Sequence, residues 1–282
     1  MAKRRSNPLA KIRRAGAIRP PKAAEMEARK RLQGLMALIQ TDVVTATELA
    51  THWDAGPLQV ATALRAVLNK WQGVRSVEQI AREWVGTTDR YARDRLQDRI
   101  ATAYGVDQVR VFDDQTVRDA AELAVQETTN KITSISGDYI GSVARAVLQN
   151  YQQIPFPEGR SLIQEIEHQT GVSFTKAKQL ARHQTSVITS AVNQARQTSV
   201  GIEEYYWESA DDERVVGKPG GKYPSGNRVH GDHWDRDWRN NGGKAYRWDK
   251  QFHDGPPGRA PGCRCVARPK IDLDKLTDRV LI

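Results

Sequence analysis

Apolar residues recur at helical spacing through most of this 282-residue chain. The first stripe predicts a helix that begins near Glu25, because apolar side chains three or four residues apart share one face of a helix. Its members are Met26, Leu32, Leu35, Met36 and Ile39. A second stripe, Leu58–Trp71, follows Gly56-Pro57, a pair that stops one helix and starts the next. The pattern therefore predicts a helical N-terminal region.

The middle of the chain predicts longer helices. A short β-branched run at 109–112 favours a strand or an extended connector, and a long helix is expected from Val117. Its apolar face consists of Ile132, Ile135, Tyr139, Ile140, Val143, Val147 and Leu148. The proline pair around Phe156 ends that helix. A short helix then ends near Gly171, and another extends to Ser199, where Gly201 is a stop signal.

A polar stripe lies along the last of these helices. Its members are Arg182, Thr185, Thr189, Asn193 and Arg196. They fall three or four residues apart and so share one face. A solvated surface is one interpretation, but surface helices usually carry glutamate and lysine. Threonine, asparagine and arginine can instead hydrogen-bond to neighbouring chain, which favours a structural motif.

Beyond residue 200 the helical period disappears and aromatic and basic residues alternate with glycine-rich turns. These residues are Trp234, Arg236, Trp238, Arg239, Tyr246, Arg247 and Trp248. They could stack on bases, as in single-strand binding surfaces. They could equally form the core of a small β-rich lobe, which is the favoured interpretation because a lobe with few aliphatic residues needs such side chains.

These patterns predict a mainly α protein, an elongated helical body with a small C-terminal α+β lobe. The expected divisions are a basic flexible arm at 1–24, an N-terminal helical region at 25–105, a long-helix region at 106–200 and the lobe at 201–282. No run approaches the roughly 20 apolar residues of a membrane span, and the N-terminus lacks the apolar core of a secretory signal. Synthesis in a reducing cytoplasm is expected, since two cysteines cannot staple a chain of this length.

The net charge of +9 is concentrated at the N-terminus. The basic residues of the arm are Lys3, Arg4, Arg5, Lys11, Arg13, Arg14, Arg19 and Lys22, with no acidic residue before Glu25. Such an arm can lie along phosphates and release their counterions, which predicts a nucleic-acid partner. A solubilising terminus without a partner is the alternative.

Candidate metal ligands lie in the last third of the chain. They are His230, His233, His253, Cys263 and Cys265. A structural zinc needs four nitrogen or sulfur donors, so this set allows one. Two cysteines separated by a single residue are a poorer zinc pair than the usual Cys-x-x-Cys. The favoured alternative is a pair of small, semi-buried thiols.

A carboxylate cluster, Asp211-Asp212-Glu213 followed by Arg214, could be catalytic. A hydrogen-bonded hinge is the preferred interpretation, because an arginine beside acids forks onto carboxylates and carbonyls. The run from His230 to His233, with the pair at 240–241 and His253, superficially resembles a His-Asn-His nuclease site, in which histidines activate water and hold a divalent cation. A DNA-binding regulator built on the N-terminal helices is a further alternative.

Four segments, read together, resemble the phage head morphogenesis family, the Mu F-like minor capsid proteins. They are the segment Ile135–Tyr139, the residues Arg182, Thr185, Asn193 and Arg196, the block from Trp207 through Asp212 to Arg214, and the terminal Cys263-Arg264-Cys265. The resemblance covers about half of the chain, from Lys131 to Pro269. His230 follows Arg214 at a longer distance than the family pattern has.

The resemblance implies a structural protein without catalytic activity. It implies assembly of a few copies inside the capsid, near the portal, during head morphogenesis. The implied partners are the portal protein, the major capsid or scaffold protein and packaged double-stranded DNA, with no membrane in the assembled head. It implies a virion location after synthesis in the host cytoplasm. The basic arm agrees with this, because a protein enclosed with dense DNA gains from mobile positive charge.

Overall fold

The computed structural model describes residues 16–52, 56–72, 75–224, 232–277 and 280–281. These residues are mainly helical, with a small antiparallel sheet of three strands in the C-terminal region, which confirms the predicted fold class. Within those ranges, no helix combines the length and the apolar character that a membrane crossing requires.

Long helices make up most of the described chain. The helices are α1 (Lys22–His52), α2 (Pro57–Trp71), α3 (Arg75–Tyr104), α4 (Gln115–Tyr151), α5 (Leu162–Ser199) and the short α6 (His233–Arg236), with 3-10 turns at Pro157–Gly159 and Leu273–Lys275. The strands are β1 (Arg110–Val111), β2 (Glu204–Glu208), β3 (Tyr246–Arg247), β4 (Val266–Pro269) and β5 (Val280–Leu281). The strand interpretation of the run at 109–112 is confirmed.

Both sheets are antiparallel. β2 is the central strand of the order β3-β2-β4, and β1 pairs with β5. In the register of the larger sheet, Tyr205 lies opposite Tyr246 on one side and Trp207 lies opposite Ala267 on the other. β2 therefore brings an aromatic strand between two segments that are distant in sequence.

α5 differs from the prediction at Gly171. A break was expected there, but the helix is continuous from Leu162 to Ser199. Packing on both sides of the glycine explains this: Ile166 and Ala177 are buried, and the hydroxyls of Thr170 and Tyr139 share a buried hydrogen bond of 3.0 Å. A mid-helix glycine costs only about 1 kcal/mol relative to alanine, which such contacts outweigh. The predicted stop at Gly201 is confirmed.

The chain divides into two compact units that are not continuous in sequence. One contains Lys22–Trp84 and Val125–Arg182, and the other contains Met1–Pro21, Val85–Ala124 and His183–Ile282. The predicted divisions were single continuous ranges, so the observed units differ from them. Helical periodicity marks where elements begin and end, but it carries no information on which distant segments pack together.

The first unit buries the apolar stripe predicted for α1. Leu32, Leu35, Met36 and Ile39 are all buried, whereas Met26, which was predicted on the same face, is 70% exposed. α2 buries Val60, Leu64, Val67 and Trp71. α1 and α2 are also joined by Asp42, which accepts hydrogen bonds from the Trp71 indole and the Lys70 ammonium, both at 2.7 Å.

The second unit has an apolar core that includes part of the predicted flexible arm. Ile18 is 1% exposed and packs with Leu96 and Ile100 of α3 and with Val200 and Ile202 after α5. For residues 16–24 the structure therefore differs from the prediction of a flexible segment. A single apolar side chain among basic and small residues was sufficient to place this stretch in a core. The basic residues Lys3, Arg4, Arg5, Lys11, Arg13 and Arg14 lie outside the described residues.

Arg196, at the end of the polar stripe, is a fully buried charge in the second unit. Its guanidinium donates to both carboxylate oxygens of Asp89 at 2.8 Å and forms an ion pair with Asp113. Burial opposes the charged form, but these hydrogen bonds outweigh it and raise the pKa of Arg196. Thr185 and Asn193 of the same stripe are buried, and Arg182 is exposed. Burial of these members agrees with the structural interpretation of the stripe, and Arg196 supplies its contacts to distant segments.

The substitution Arg196→Met should lower the free energy of unfolding by about 3 to 5 kcal/mol, because it leaves two carboxylates without their shared cation. Urea denaturation followed by circular dichroism measures this. Arg182→Met, at an exposed position on the same helix, is the control and should cost at most about 1 kcal/mol. Equal losses for the two variants would contradict a structural role for the buried ion pairs.

Candidate metal centre in the C-terminal lobe

The C-terminal lobe, residues 204–269, has an aromatic core. The buried members are Tyr205, Trp207, Tyr246, Trp248, Ala260, Cys263, Cys265 and Ala267, with Phe252 packed against them. Tyr205 and Trp248 stack with ring centroids 4.2 Å apart. The predicted core role of Tyr246 and Trp248 is therefore confirmed. Arg236 lies over Trp207 and Phe252, at 5.0 and 4.4 Å from the ring centroids, as a cation–π contact.

The Cys263-Arg264-Cys265 segment leads directly into β4. Neighbouring residues of an extended chain point to opposite sides, and residues two apart point to the same side. Both cysteines accordingly lie in the core, 8% and 4% exposed, whereas Arg264 faces the other way and binds Asp212. The spacing of one residue, which is unusual for a pair of zinc ligands, places both thiols on one side.

His233 completes a cluster with the two thiols. It is the first residue of α6 and is 5% exposed. Its Nδ1 lies 3.5 Å from Sγ of Cys263 and 3.3 Å from Sγ of Cys265. The three donor atoms lie within 4.8 Å of one another. One nitrogen and two sulfurs from two distant segments therefore converge in a buried place.

These distances fit a tetrahedral zinc. With zinc–sulfur and zinc–nitrogen bonds of about 2.3 and 2.0 to 2.1 Å, tetrahedral angles place a ligand nitrogen roughly 3.6 Å from a ligand sulfur. The two distances measured from Nδ1 are close to that value. Histidine and cysteine are also the ligands that zinc prefers among protein side chains. The cluster supplies three of the four positions.

Asp254 holds the other side of the imidazole. Its Oδ2 lies 2.9 Å from Nε2 of His233, and its two oxygens accept from Nη1 of Arg236 at 2.7 and 3.0 Å. Burial opposes ionisation of Asp254, but the bonds to Arg236 and His233 lower its pKa. A carboxylate on the far nitrogen directs the near nitrogen toward the metal and is a common second neighbour of zinc-bound histidine.

The two thiols differ in their electrostatics. A hydrogen bond from Cys265 and the adjacent His233 hold the pKa of Cys263 well below its usual range. The same hydrogen bond, together with burial, raises the pKa of Cys265. For His233, burial opposes protonation, but the interactions with Cys263 and Asp254 raise its pKa. The site therefore favours one thiolate, and the thiolate is the form that binds metal.

The structure selects among the predicted ligands. Cys263, Cys265 and His233 come together, whereas His253 is exposed and lies outside the cluster. His230 lies outside the described residues. Asp254 was missed by sequence reasoning, although it follows the predicted His253 directly. Adjacent side chains of an extended segment point to opposite sides. The residue next to a predicted ligand was therefore the signal in the sequence that could have identified Asp254.

The acidic block after β2 binds arginines of the lobe. Asp212 accepts from Nη2 of Arg264 at 2.6 Å and also pairs with Nη1, while the predicted partner Arg214 is 3.7 Å away. The Arg264 hydrogen bonds lower the pKa of Asp212 to about 2. Asp211 pairs with Lys218 at 3.1 Å. The preference for a hydrogen-bonded hinge over a catalytic cluster agrees with these contacts, but the arginine that forks onto the carboxylate is Arg264.

A second carboxylate, Asp237, is fully buried beside this block. It accepts from Nη2 of Arg239 at 2.6 Å and from the backbone N–H of Ser209 at 2.7 Å. These bonds outweigh burial and lower its pKa. Arg239, which had been considered for nucleic-acid contact, is thus used to bind the chain that follows β2. The lobe is therefore held together both by ion pairs and by the contacts between His233 and the two thiols.

A comparison with curated proteins found a Haemophilus influenzae protein that carries the name "Uncharacterized protein". It is 24% identical to this chain over 277 residues, which cover 94% of this chain and 57% of that protein. The chain thus spans little more than half the length of that relative. No family model matches the sequence, and no solved structure matches it.

The cluster predicts that the purified protein binds one zinc ion per chain. Cys265→Ser and His233→Ala should remove it, and a chelator should lower the melting temperature of the wild-type protein. Asp254→Asn should retain the ion with roughly 10- to 100-fold lower affinity, because it weakens the orientation of His233. Elemental analysis and competition with a chromogenic chelator measure these effects.

His253→Ala is the matched control and should leave zinc content and affinity unchanged, since His253 lies outside the cluster. The zinc prediction would be contradicted by wild-type protein that is purified in the presence of zinc and still contains no metal. Its melting temperature would then also be unaffected by a chelator.

The Asp212–Arg264 pair predicts a stability difference that depends on pH. The pKa of Asp212 is lowered from 3.8 to about 2 in the folded protein, so its contribution is present above about pH 4 and is lost as the pH falls toward 2. Asp212→Asn should lower the melting temperature at pH 7, and the gap from wild type should close below pH 4. Glu213→Gln, at the exposed neighbouring position, is the control and should have the melting temperature of the wild type at both pH values. If Asp212→Asn still melts well below the wild type at pH 2, the Asp212–Arg264 pair is not the source of the difference.

Proposed function

We propose that this chain is a minor capsid protein of a tailed phage or prophage, which assembles inside the head near the portal and contacts packaged DNA. The observation that carries the proposal is the convergence of two of the four segments behind the family resemblance, the block from Trp207 to Arg214 and Cys263-Arg264-Cys265. Trp207 packs edge-on to His233 at 5.2 Å, Asp212 binds Arg264, and both flanking cysteines face His233. These two segments thus build one lobe.

The proposal includes a structural zinc and no catalysis. Three donors in a lobe with few aliphatic side chains fit a metal that contributes to folding, as in small zinc-binding modules. His233 is 5% exposed, with one nitrogen toward the thiols and the other toward Asp254. A histidine held in this way orients a metal and is poorly placed to take a proton from water at a scissile phosphate.

The alternative of a metal-dependent nuclease is less well supported by the geometry. The amide of Asn241 donates to the carbonyls of Arg236 and Lys244, both at 3.0 Å, and Asn240 donates to the carbonyl of Trp234. These asparagines shape a turn. In the His-Asn-His arrangement an accessible histidine is required, which His233 is not.

The proposed partners are the portal protein, the major capsid or scaffold protein, and double-stranded DNA. The DNA contact rests on the basic arm, of which the structure describes Arg19 and Lys22. The side chain of Arg19 is 74% exposed, and Lys22 begins α1 at an exposed position. Mobile or exposed guanidinium and ammonium groups are suited to binding phosphates without sequence preference.

Co-expression with portal and major capsid genes from the same genome tests the proposal. We expect the protein in purified particles at a few copies, bound to portal, because the lobe and helices supply protein contacts. Mass spectrometry of particles and of portal complexes measures this. A chain lacking residues 1–15 is the control for charge-driven trapping on DNA, and it should still be incorporated.

Absence from particles, or incorporation that depends entirely on residues 1–15, would contradict the proposal. Incubation of the purified protein with plasmid DNA and Mg²⁺ or Mn²⁺ distinguishes the alternative. The structural role predicts no cleavage, whereas the nuclease alternative predicts cleavage that His233→Ala abolishes.

A further inference from the structure

A cavity of about 350 Å³ lies in the second unit, away from the thiol cluster. Its lining residues are Gly16, Ala17, Ile18, Arg19, Tyr91, Arg95, Arg99, Glu208 and Arg268. They come from the chain before α1, from one face of α3 and from the paired strands β2 and β4. The volume falls within the roughly 300 to 1,000 Å³ that small-ligand sites occupy.

The cavity carries an excess of positive charge. Four guanidinium groups and one carboxylate line it, which leaves an excess of three positive charges. Glu208 pairs with Arg268 and accepts from Nη2 of Arg19 at 3.2 Å. Arg95 lies over the ring of Tyr91 and donates to the exposed Asp98 at 3.1 Å. The single carboxylate of the lining is therefore shared, and the cationic groups exceed the anions that the wall provides.

Arg99 contributes a buried donor to the lining of the cavity. Among the described residues, its Nε is buried and has no hydrogen-bond partner. Its guanidinium lies against the backbone of Gly16, where a β-carbon would be 3.5 Å from Cζ. A buried N–H without an acceptor is costly unless a ligand supplies one. This N–H calls for an acceptor from a ligand, and the excess positive charge of the lining favours an anion.

We propose that this cavity binds a phosphate group. Guanidinium groups bind phosphate through paired N–H···O bonds, and several arginines around one cavity match its charge and its number of acceptor oxygens. The exposed side chains of Arg19 and Arg95, at 74% and 48%, leave the cavity accessible from solvent. The ligand is therefore a phosphate-bearing molecule that approaches from outside.

Double-stranded DNA is the source of phosphate that the chain favours, and this choice rests on the proposed function. Residues 1–15 carry six basic residues, and they join the described chain at Gly16, a residue of the cavity wall. DNA bound by the arm is thereby held close to the cavity. The folded unit then adds a fixed phosphate contact to the contacts of the arm.

Binding measurements on the full-length protein test the proposal. The probes are a random-sequence duplex of DNA, followed by fluorescence anisotropy over a range of salt, and inorganic pyrophosphate, followed by calorimetry. Arg99→Met and Arg95→Gln should each weaken binding of both probes about tenfold, and each should reduce the slope of log K against log salt by about 0.9 for DNA. Arg99→Lys, which keeps the charge but not the paired N–H groups, should bind both probes with an affinity between those of the wild type and Arg99→Met.

Arg93→Gln is the matched control, because Arg93 lies on the same helix, carries the same charge and is outside the cavity wall. It should leave both affinities within about twofold. Arg95→Gln, at a largely exposed side chain, carries the test if Arg99→Met fails to fold. Variants that lose pyrophosphate but retain DNA binding would support the phosphate site and overturn DNA as its source. Variants that match Arg93→Gln with both probes would overturn the site itself.

These measurements need only the purified protein, so their outcome is separate from the particle experiment. If the wild-type protein is absent from heads but Arg99→Met loses phosphate binding, the proposed phosphate site is supported and the proposed function is contradicted. If the wild-type protein is present in heads but Arg99→Met leaves phosphate binding unchanged, the proposed function is supported and the proposed phosphate site is contradicted.

Discussion

The alternation of side chains in Cys263-Arg264-Cys265 is the constraint on which the C-terminal lobe depends. Because an extended chain turns neighbours to opposite sides, two thiols enter the core and meet His233, while Arg264 leaves it and binds Asp212. The same three residues therefore join the lobe at two places. β4 follows at once and pairs with β2, which positions Trp207 beside the cluster. Ion pairs and thiol contacts thus compensate for a core that contains few aliphatic side chains.

A second constraint is the buried charge of Arg196. A guanidinium without water needs anions around it, and Asp89 and Asp113 provide them from α3 and from the segment before α4. The helix end is held as well by Gly201, whose positive φ of 87° brings the turn against the carbonyl of Lys275, where a β-carbon would clash at 2.1 Å. Local backbone geometry and long-range charge pairing together determine where the chain leaves α5 for β2.

Arginine has a different role in each part of the second unit. Arg196 and Arg264 are bound to carboxylates and stabilise the fold, whereas the arginines around the cavity outnumber the carboxylate beside them. The difference lies in the ratio of arginines to carboxylates in each place, and composition alone does not reveal it. Arg19, which was predicted to be part of a flexible arm, instead lies on a folded surface and pairs with Glu208.

Most helices, the aromatic core of the lobe and the residue types of the candidate metal site could be predicted from the sequence, because periodicity and side-chain chemistry are local properties. The stripe from Leu32 to Ile39 and the helix predicted at Leu58–Trp71 followed from spacing, whereas the two cysteines were candidates because of their residue type. Other features became known only from the tertiary structure. They are the partners of Arg196 and Asp212, the contact of Asp254 with His233, the unbroken helix α5, and the two units that are each built from separate parts of the chain. Each of these depends on which residues, tens of positions apart, meet after the apolar faces are buried, and burial is a property of the whole chain.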